Sequence, residues 1–262
     1  YLLSASIKFS IGLRWEDWEA DYSDSLNESF NPADKMSGGK ISLIKSMTNG
    51  TNIYASLGKG YKQGGFNLGL GLDANSTNQN LAYDPEFLTN YELGINTKLL
   101  DSKINFNGVI FYSYREDQQV LISTQTDPSD PNTFSFLTQN AAEGVNHGLE
   151  IKMDIDIRES LSAFLNLGML KTEIKNWQSR QDLEGRAQAH APEKSYALGL
   201  NWAPTSDTYL AIDFTGKSSF YYSDSHNNKS KSYVLTNLNL GYVKNNWSYE
   251  LWARNVFDEY YS

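Results

Sequence analysis

Leu149-Glu150-Ile151-Lys152-Met153-Asp154-Ile155-Asp156-Ile157 decides the fold. Every odd position is apolar and every even position is charged. In an extended chain successive side chains leave on opposite faces, so this segment has one greasy face and one wet one. The period recurs along the chain. Tyr91, Leu93, Ile95 and Leu99 alternate with Asn90, Glu92, Asn96 and Lys98. Ile7, Phe9, Ile11, Leu13 and Trp15 alternate with Ser6, Lys8, Ser10, Gly12 and Arg14. Tyr196, Leu198, Leu200 and Trp202 face away from Ser195, Ala197, Gly199 and Asn201.

An aliphatic face needs a protein core or lipid, and length separates the two. Segments 103–115 and 149–157 outrun the ~5–6 residues of an average soluble strand and suit the ~9–11 of a tilted membrane-crossing one. Aromatics gather near segment ends, as Trp15, Trp18, Tyr112, Tyr114, Trp202, Tyr242 and Trp247, where interfacial girdles belong. These observations favour a lipid-facing barrel over a soluble sandwich.

The connections alternate between short and long. Asn49-Gly50, Asp101-Ser102, Arg158-Glu159-Ser160, 204–207 and Asn245-Asn246 carry hairpin chemistry, supplying positive φ or self-bonding side chains. Between them lie long polar stretches at 21–35, 61–86, 121–134, 174–191 and 221–231. Short turns on one rim and long loops on the other define an antiparallel up-and-down transmembrane β-barrel. About eleven strands fit, and an odd number cannot close antiparallel. The chain therefore reads as a barrel fragment, lacking at least one strand after Ser262 and more before Tyr1. Its unpaired edges should lie near 7–15 and 249–257.

Composition agrees. The 262 residues carry a formal charge of −9, which opposes binding to nucleic acid phosphates. With no Cys there is no disulfide framework, thiolate metal site or cysteine nucleophile. No run of ~18 apolar residues makes a transmembrane helix, and residues 1–10 lack signal-peptide character. A mean hydropathy of −0.52 is compatible with a barrel, whose strands hide their hydrophobicity in alternation.

Several stretches resemble TonB-dependent outer-membrane receptors. Residues 54–67, ending Gly60-Tyr61-Lys62-Gln63-Gly64-Gly65-Phe66-Asn67, resemble a strand-and-loop entry of that family. Asp84-Pro85-Glu86 with Asn90-Tyr91-Glu92-Leu93-Gly94 resembles a second segment, and Asn140-Ala141 with Gly144 and Gly148-Leu149-Glu150 a third. Arg254-Asn255-Val256-Phe257-Asp258-Glu259-Tyr260-Tyr261 resembles the motif before the last strand. The resemblance implies a barrel of about 22 strands around a plug, of which residues 1–262 are the C-terminal portion; plug, TonB box, early strands and last strand are absent. It also implies a Gram-negative outer-membrane location and import of a scarce ligand, above all a ferric siderophore, with energy from the TonB complex.

Capture sites are concave, with aromatic walls and a few polar anchors. The loop candidates are Tyr61, Lys62, Gln63 and Phe66 in the first stretch and Trp177, Arg180, Arg186 and His190 in the second. Tyr221, Tyr222 and His226 come from the third. Cations among aromatics suit an anionic catechol- or carboxylate-bearing chelate. Against this, an aromatic at a strand end is usually girdle, and a single loop Arg is usually a solvated charge.

Other constellations are weaker. His147, His190 and His226 lie in separate segments and read as ordinary loop or lumen histidines, so no metal site is supported. Asp127 and Asp130 lack EF-hand spacing. Gly58, Gly60, Gly64 and Gly65 do not make a phosphate loop. Residues 42–45 and 56–59 fit S-x-x-K only by spacing. No nucleophile, base and orienting group can be named together, so the reading is a non-enzyme without cofactor. The rivals are a passive porin, an outer-membrane protease or lipase, and a soluble carbohydrate-binding β-sandwich.

Overall fold

The computed structural model describes residues 2–4, 6–23, 25, 29–67, 82–125, 129–130, 132–177, 180–224 and 226–261. In chain order the strands are β1 (Leu2–Ser4), β2 (Ile7–Glu19), β3 (Tyr22–Ser23), β4 (Ser29–Phe30), β5 (Ala33–Ser46) and β6 (Asn52–Lys62). Then come β7 (Gly65–Phe66), β8 (Ala82–Tyr83), β9 (Glu86–Leu99), β10 (Ile104–Gln125), β11 (Phe134–Arg158) and β12 (Leu161–Asn176). The last four are β13 (Lys194–Thr205), β14 (Thr208–Lys217), β15 (Tyr233–Lys244) and β16 (Trp247–Ala253). One sheet takes twelve of them in the order β1-β2-β5-β6-β9-β10-β11-β12-β13-β14-β15-β16, while β3–β4 and β7–β8 form two-stranded ribbons inside long connections. Every pairing is antiparallel between sequential neighbours. Among the described residues the edge strands β1 and β16 do not pair, so the sheet stays open; it holds twelve strands where about eleven were expected, because the three-residue β1 pairs with the start of β2.

Two faces follow from the register. Leu43, Ala55, Leu93, Ile110, Leu149 and Met169 stand opposite one another in turn across six strands. On the other face Lys40, Gly58, Asn90, Ser113, Asn146 and Thr172 form a polar row across the same strands. Among the described residues no second layer covers the apolar face: Leu13 is 85% exposed, Trp15 84% and Leu251 72%. So much uncovered aliphatic surface is the signature of lipid as the partner. A sandwich would have buried it.

Short turns and long loops fall on opposite rims. Gly50 (φ 82°) and Asn245 (φ 55°) take the left-handed conformation that tight hairpins require. The polar face carries a local core on the loop rim, where Val120, Ala142, Ile174, Trp177 and Leu183 bury one another.

Strand bounds differ from the sequence expectations in four places. Segments 103–115 and 149–157 are the membrane-sized parts of Ile104–Gln125 and Phe134–Arg158, which continue as one tall hairpin past irregularities between Arg115 and Gln119. Pairing beyond the apolar band needs no greasy face, so hydrophobic alternation could not mark it. Tyr61 and Lys62 lie within β6 and not in a loop. The 204–207 turn is only Ser206-Asp207. Finally, β16 ends at Ala253, because Asn255 (φ 48°) and Asp258 (φ 52°) turn the chain.

Candidate functional site

The long-loop rim is built from two hydrogen-bonded assemblies. The first joins the connection between β6 and β9 to the tall β10–β11 hairpin. The Asn140 carboxamide accepts from the Asp84 N–H (2.6 Å) and donates to the carbonyls of Asp84 and Asp117 (2.8 Å each). Gln119 Nε2 donates to the carbonyls of Gln63 (2.8 Å) and Asp84 (3.0 Å). Asn67 donates to the Thr138 carbonyl (2.9 Å) and accepts its N–H (2.8 Å), imitating a strand partner. Glu86 accepts from the Gln119 N–H (2.9 Å) and pairs with Arg115 Nε (3.1 Å). Side-chain amides thus satisfy backbone groups that no ladder reaches.

The second assembly joins the connection after β12 to the one after β14. Trp177 is only 3% exposed, in the local core. The Arg186 guanidinium, its side chain 8% exposed, donates to the carbonyls of His226 (3.0 Å) and Ser223 (2.9 Å) and to Asn227 Oδ1 (2.9 Å). It also pairs with Asp224 (3.3 Å) and lies 4.2 Å from the centre of the Tyr221 ring. Lys229 Nζ lies 4.2 Å from the same ring. The His190 N–H donates to the Tyr221 carbonyl (2.8 Å), and the His190 ring sits 6.1 Å from Phe220. Burial of a guanidinium whose two terminal nitrogens are bonded on the far loop, with Nε left unpaired, makes Arg186 a clamp between loops.

The remaining candidates are scattered along the same rim. Tyr61 donates to Glu16 (2.9 Å) beneath Arg14, and Phe66 packs edge-on against Tyr22 at 5.4 Å. Lys62 is exposed, and the Gln63 carbonyl is held by Gln119. Arg180 grips Asp182 with two nitrogens at 2.9 and 3.0 Å, which holds the Asp182 carboxyl below the usual carboxylate range. Tyr222 meets Phe220 edge-on at 5.9 Å, and exposed His226 accepts the Asn228 N–H (3.3 Å). The structure therefore brings Arg186, His190, Tyr221, Tyr222 and His226 together. Gln63 stays with the first assembly, whereas Tyr61 and Phe66 pack toward Glu16 and Tyr22.

Sequence reading missed Gln119, Asp224 and Lys229, which are ordinary polar residues until the fold opposes them to a loop. His147 is corrected: its partners Tyr112 and Lys171 put it on the outer face, not in a loop or the lumen. Asp130 caps its own turn through Asn132 and Thr133, and Asp127 lies outside the described residues.

The family model for "TonB dependent receptor-like, beta-barrel" matches residues 2–256. The chain belongs to the TonB-dependent receptor family. That places it in the Gram-negative outer membrane, in a family of transporters and not of enzymes. It is 27% identical over 146 residues to a probable TonB-dependent siderophore receptor, PiuA, of Acinetobacter baumannii, covering 53% of this chain and 19% of that protein. Its fold is similar to the ferric yersiniabactin uptake receptor FyuA of Yersinia pestis, with TM-score 0.78, 16% identity, and 99% of this chain on 39% of that one. The solved structure of the A. baumannii PiuA gives TM-score 0.77 and 19% identity, with 99% of this chain on 38% of that one. The chain thus spans about two fifths of the length of these structural neighbours.

Proposed function

We propose that this chain is the C-terminal part of the barrel of an energised uptake receptor, which captures a ferric siderophore at the long-loop rim and imports it with TonB-supplied energy. A plug, early strands and a last strand complete the parent protein in this reading. The observation that carries it is the joining of a lipid-facing barrel sheet to a rim of long loops that fold on one another. Passive pores need no such rim. The relatives named as siderophore receptors support an iron chelate as cargo.

Within the rim, Tyr221, Tyr222, His190, His226, Arg180, Tyr61, Lys62 and Phe66 supply the aromatic and polar surface. Arg186, Trp177 and the Gln63 backbone hold it in shape. Cation–π and charge-assisted contacts from such a surface suit a carboxylate- or catechol-bearing anion.

The test is uptake of radio-iron from a panel of ferric siderophores by cells carrying the full-length receptor. Uptake of at least one chelate that disappears when TonB is deleted supports the proposal. TonB-independent uptake of small solutes would favour a porin, and no uptake of any chelate would remove iron as the cargo.

A further inference from the structure

The connection after β12 lies back across the polar face of the sheet. Ile174 stays paired with it, donating its N–H to the Arg186 carbonyl (2.9 Å) and accepting the Gly185 N–H (2.8 Å). The Thr172 hydroxyl accepts the Gln188 N–H at 2.9 Å, so the polar row that ends at Thr172 runs on into this segment. The Gln188 carboxamide occupies the space over Gly144, where an added Cβ would collide with Nε2. Gly144 stands opposite Ile174 and Asn146 opposite Thr172, on the face that lines the lumen of a closed barrel.

Trp177 and Leu183, 3% and 1% exposed, are buried with Val120 of β10 and Ala142 of β11. The tip of the connection is thus seated one and two strands back from β12, where it began. Its other end is tied to the connection after β14 by Arg186, by the Ala189 N–H on Asp224 Oδ1 (3.1 Å) and by the His190 N–H on the Tyr221 carbonyl (2.8 Å). Trp177 Nε1 and Gln188 Nε2 are buried without hydrogen-bond partners, so the apolar seat, more than polar pairing, keeps the segment down. Buried apolar contacts of this kind resist local opening. Nearer the turn rim on the same strands, Asn107, Lys152, Asn166, Ser195 and Thr215 line a depression in the lumen wall.

We propose that Trp177 and residues 180–190 form a fixed shelf, which narrows the barrel mouth from the β10–β14 side and sets the largest molecule that reaches the lumen wall beneath it. A lid that swings over its cargo needs a seat that it can leave; this one is held by a buried tip and a clamped base. Applied to cargo, the shelf is a size filter, and that use rests on the uptake reading above. The narrowing itself does not.

The test labels single cysteines from outside whole cells that carry the full-length receptor free of other cysteines, using maleimides on polyethylene glycol chains of increasing length. Ser195→Cys lies beneath the shelf, and Ser42→Cys, on the polar face of β5, lies away from it. Ser195→Cys should react with the shortest reagent and only slowly with the longest. Excising 180–184 should speed the longest reagent several-fold at Ser195→Cys and leave Ser42→Cys unchanged. W177A/L183A, which unseats the tip without shortening the chain, should give an intermediate gain. Heat modifiability on gels checks the folding of each variant. Equal rates with and without the shelf, or a gain of the same size at Ser42→Cys, overturns the proposal. No labelling of Ser195→Cys in any form also overturns it, since something else then closes the mouth. Hydrogen exchange of the purified receptor reads the fixed seat: residues 181–190 should exchange as slowly as β12, and fast exchange there would replace the shelf with a mobile lid.

Discussion

The Asn140 side chain pairs with the Asp84 backbone at both ends, accepting its N–H at 2.6 Å and donating to its carbonyl at 2.8 Å. One carboxamide thus does for the loop what a neighbouring strand would do. It ties the segment before β9 to the tall hairpin 56 residues away. Because the same Nδ2 also reaches the Asp117 carbonyl, it holds the irregular stretch of β10 in place. Asn140→Ala should leave two backbone groups seeking water, the Asp84 N–H and the Asp117 carbonyl, since Gln119 still holds the Asp84 carbonyl; the local cost is about 0.5–1.5 kcal/mol. Asn140→Asp should cost more, since a carboxylate faces two carbonyl oxygens. Hydrogen exchange of the full receptor should rise around Asp84 and Asp117 together, more for Asp than for Ala. Exchange rising at only one of the two would contradict a shared anchor.

Arg186 does the corresponding work between the other two loops. Lysine keeps the charge but loses the planar fork and the stacking on Tyr221. Arg186→Lys should therefore loosen residues 181–190 and 220–228 in concert, at a cost of about 1–3 kcal/mol. Paired loss of exchange protection in both segments is the expected readout. Chelate uptake should fall with it, through a weaker apparent affinity.

These anchors show what could be read in the sequence and what could not. Alternation across 149–157 set both faces of β11, since membrane strands must place apolar groups outward at every second position. The loop sorting was equally legible, because Asn49-Gly50 and Asn245-Asn246 permit little besides tight turns. The tall hairpin was hidden: residues 134–142 pair with 118–125 above the bilayer, where no periodicity is enforced. Rim contacts were hidden for another reason. Whether Arg186 is a solvated charge or a buried clamp depends on Asp224 and Tyr221, which approach it only after the chain has crossed the sheet twice. Several motifs that carried the family resemblance, including Gln63, Asn67, Asp84, Glu86 and Asn140, turn out to meet in one assembly. Their spacing encodes loop anchoring.

The Arg180–Asp182 pair gives a pH signature. Asp182 is held below its ordinary range chiefly by the hydrogen bond from Arg180. A depressed carboxyl contributes its stabilisation above the unfolded-state pKa and loses it as pH falls through the folded-state value. The 3-10 turn Gln181–Leu183 should thus stay protected at neutral pH and loosen only below the usual carboxylate range. In Arg180→Gln the loosening should begin at higher pH. Hydrogen exchange across a pH series, corrected for the intrinsic rate, reads the shift, and identical profiles would mean that the fork does not hold the turn.

Aromatic rings lying over cross-strand glycines predict a packing cost. Tyr54 covers Gly94, Tyr196 covers Gly216 and Tyr209 covers Gly241, so that an added Cβ would collide with the ring in each case. Gly241→Ala should force Tyr209 off its rotamer and cost about 1–3 kcal/mol. The double change with Tyr209→Ala should recover part of that loss, because the obstacle has gone. Urea titration of the full receptor in vesicles separates the two, and a strictly additive pair would show that the ring is not what the glycine accommodates.

Depth across the bilayer supplies the most discriminating test of the outer face. Leu198 lies opposite Leu165 and Phe214, about four residues above the Trp202–Leu161 pair that closes the turn rim. At ~3.3 Å per residue and a tilt of ~40°, that puts it about 10 Å above the rim, near the middle of a ~25 Å band. Leu198→Arg should cost about 2–4 kcal/mol of folding free energy into vesicles, whereas Trp202→Arg, near the interface, should lose about 0–1 kcal/mol from its charge. A protein core would reverse that order, since Trp202 is the larger side chain and its truncation would open the larger cavity. The gradient between these two positions therefore separates lipid from protein as the neighbour of this face, whatever ligand the loops take.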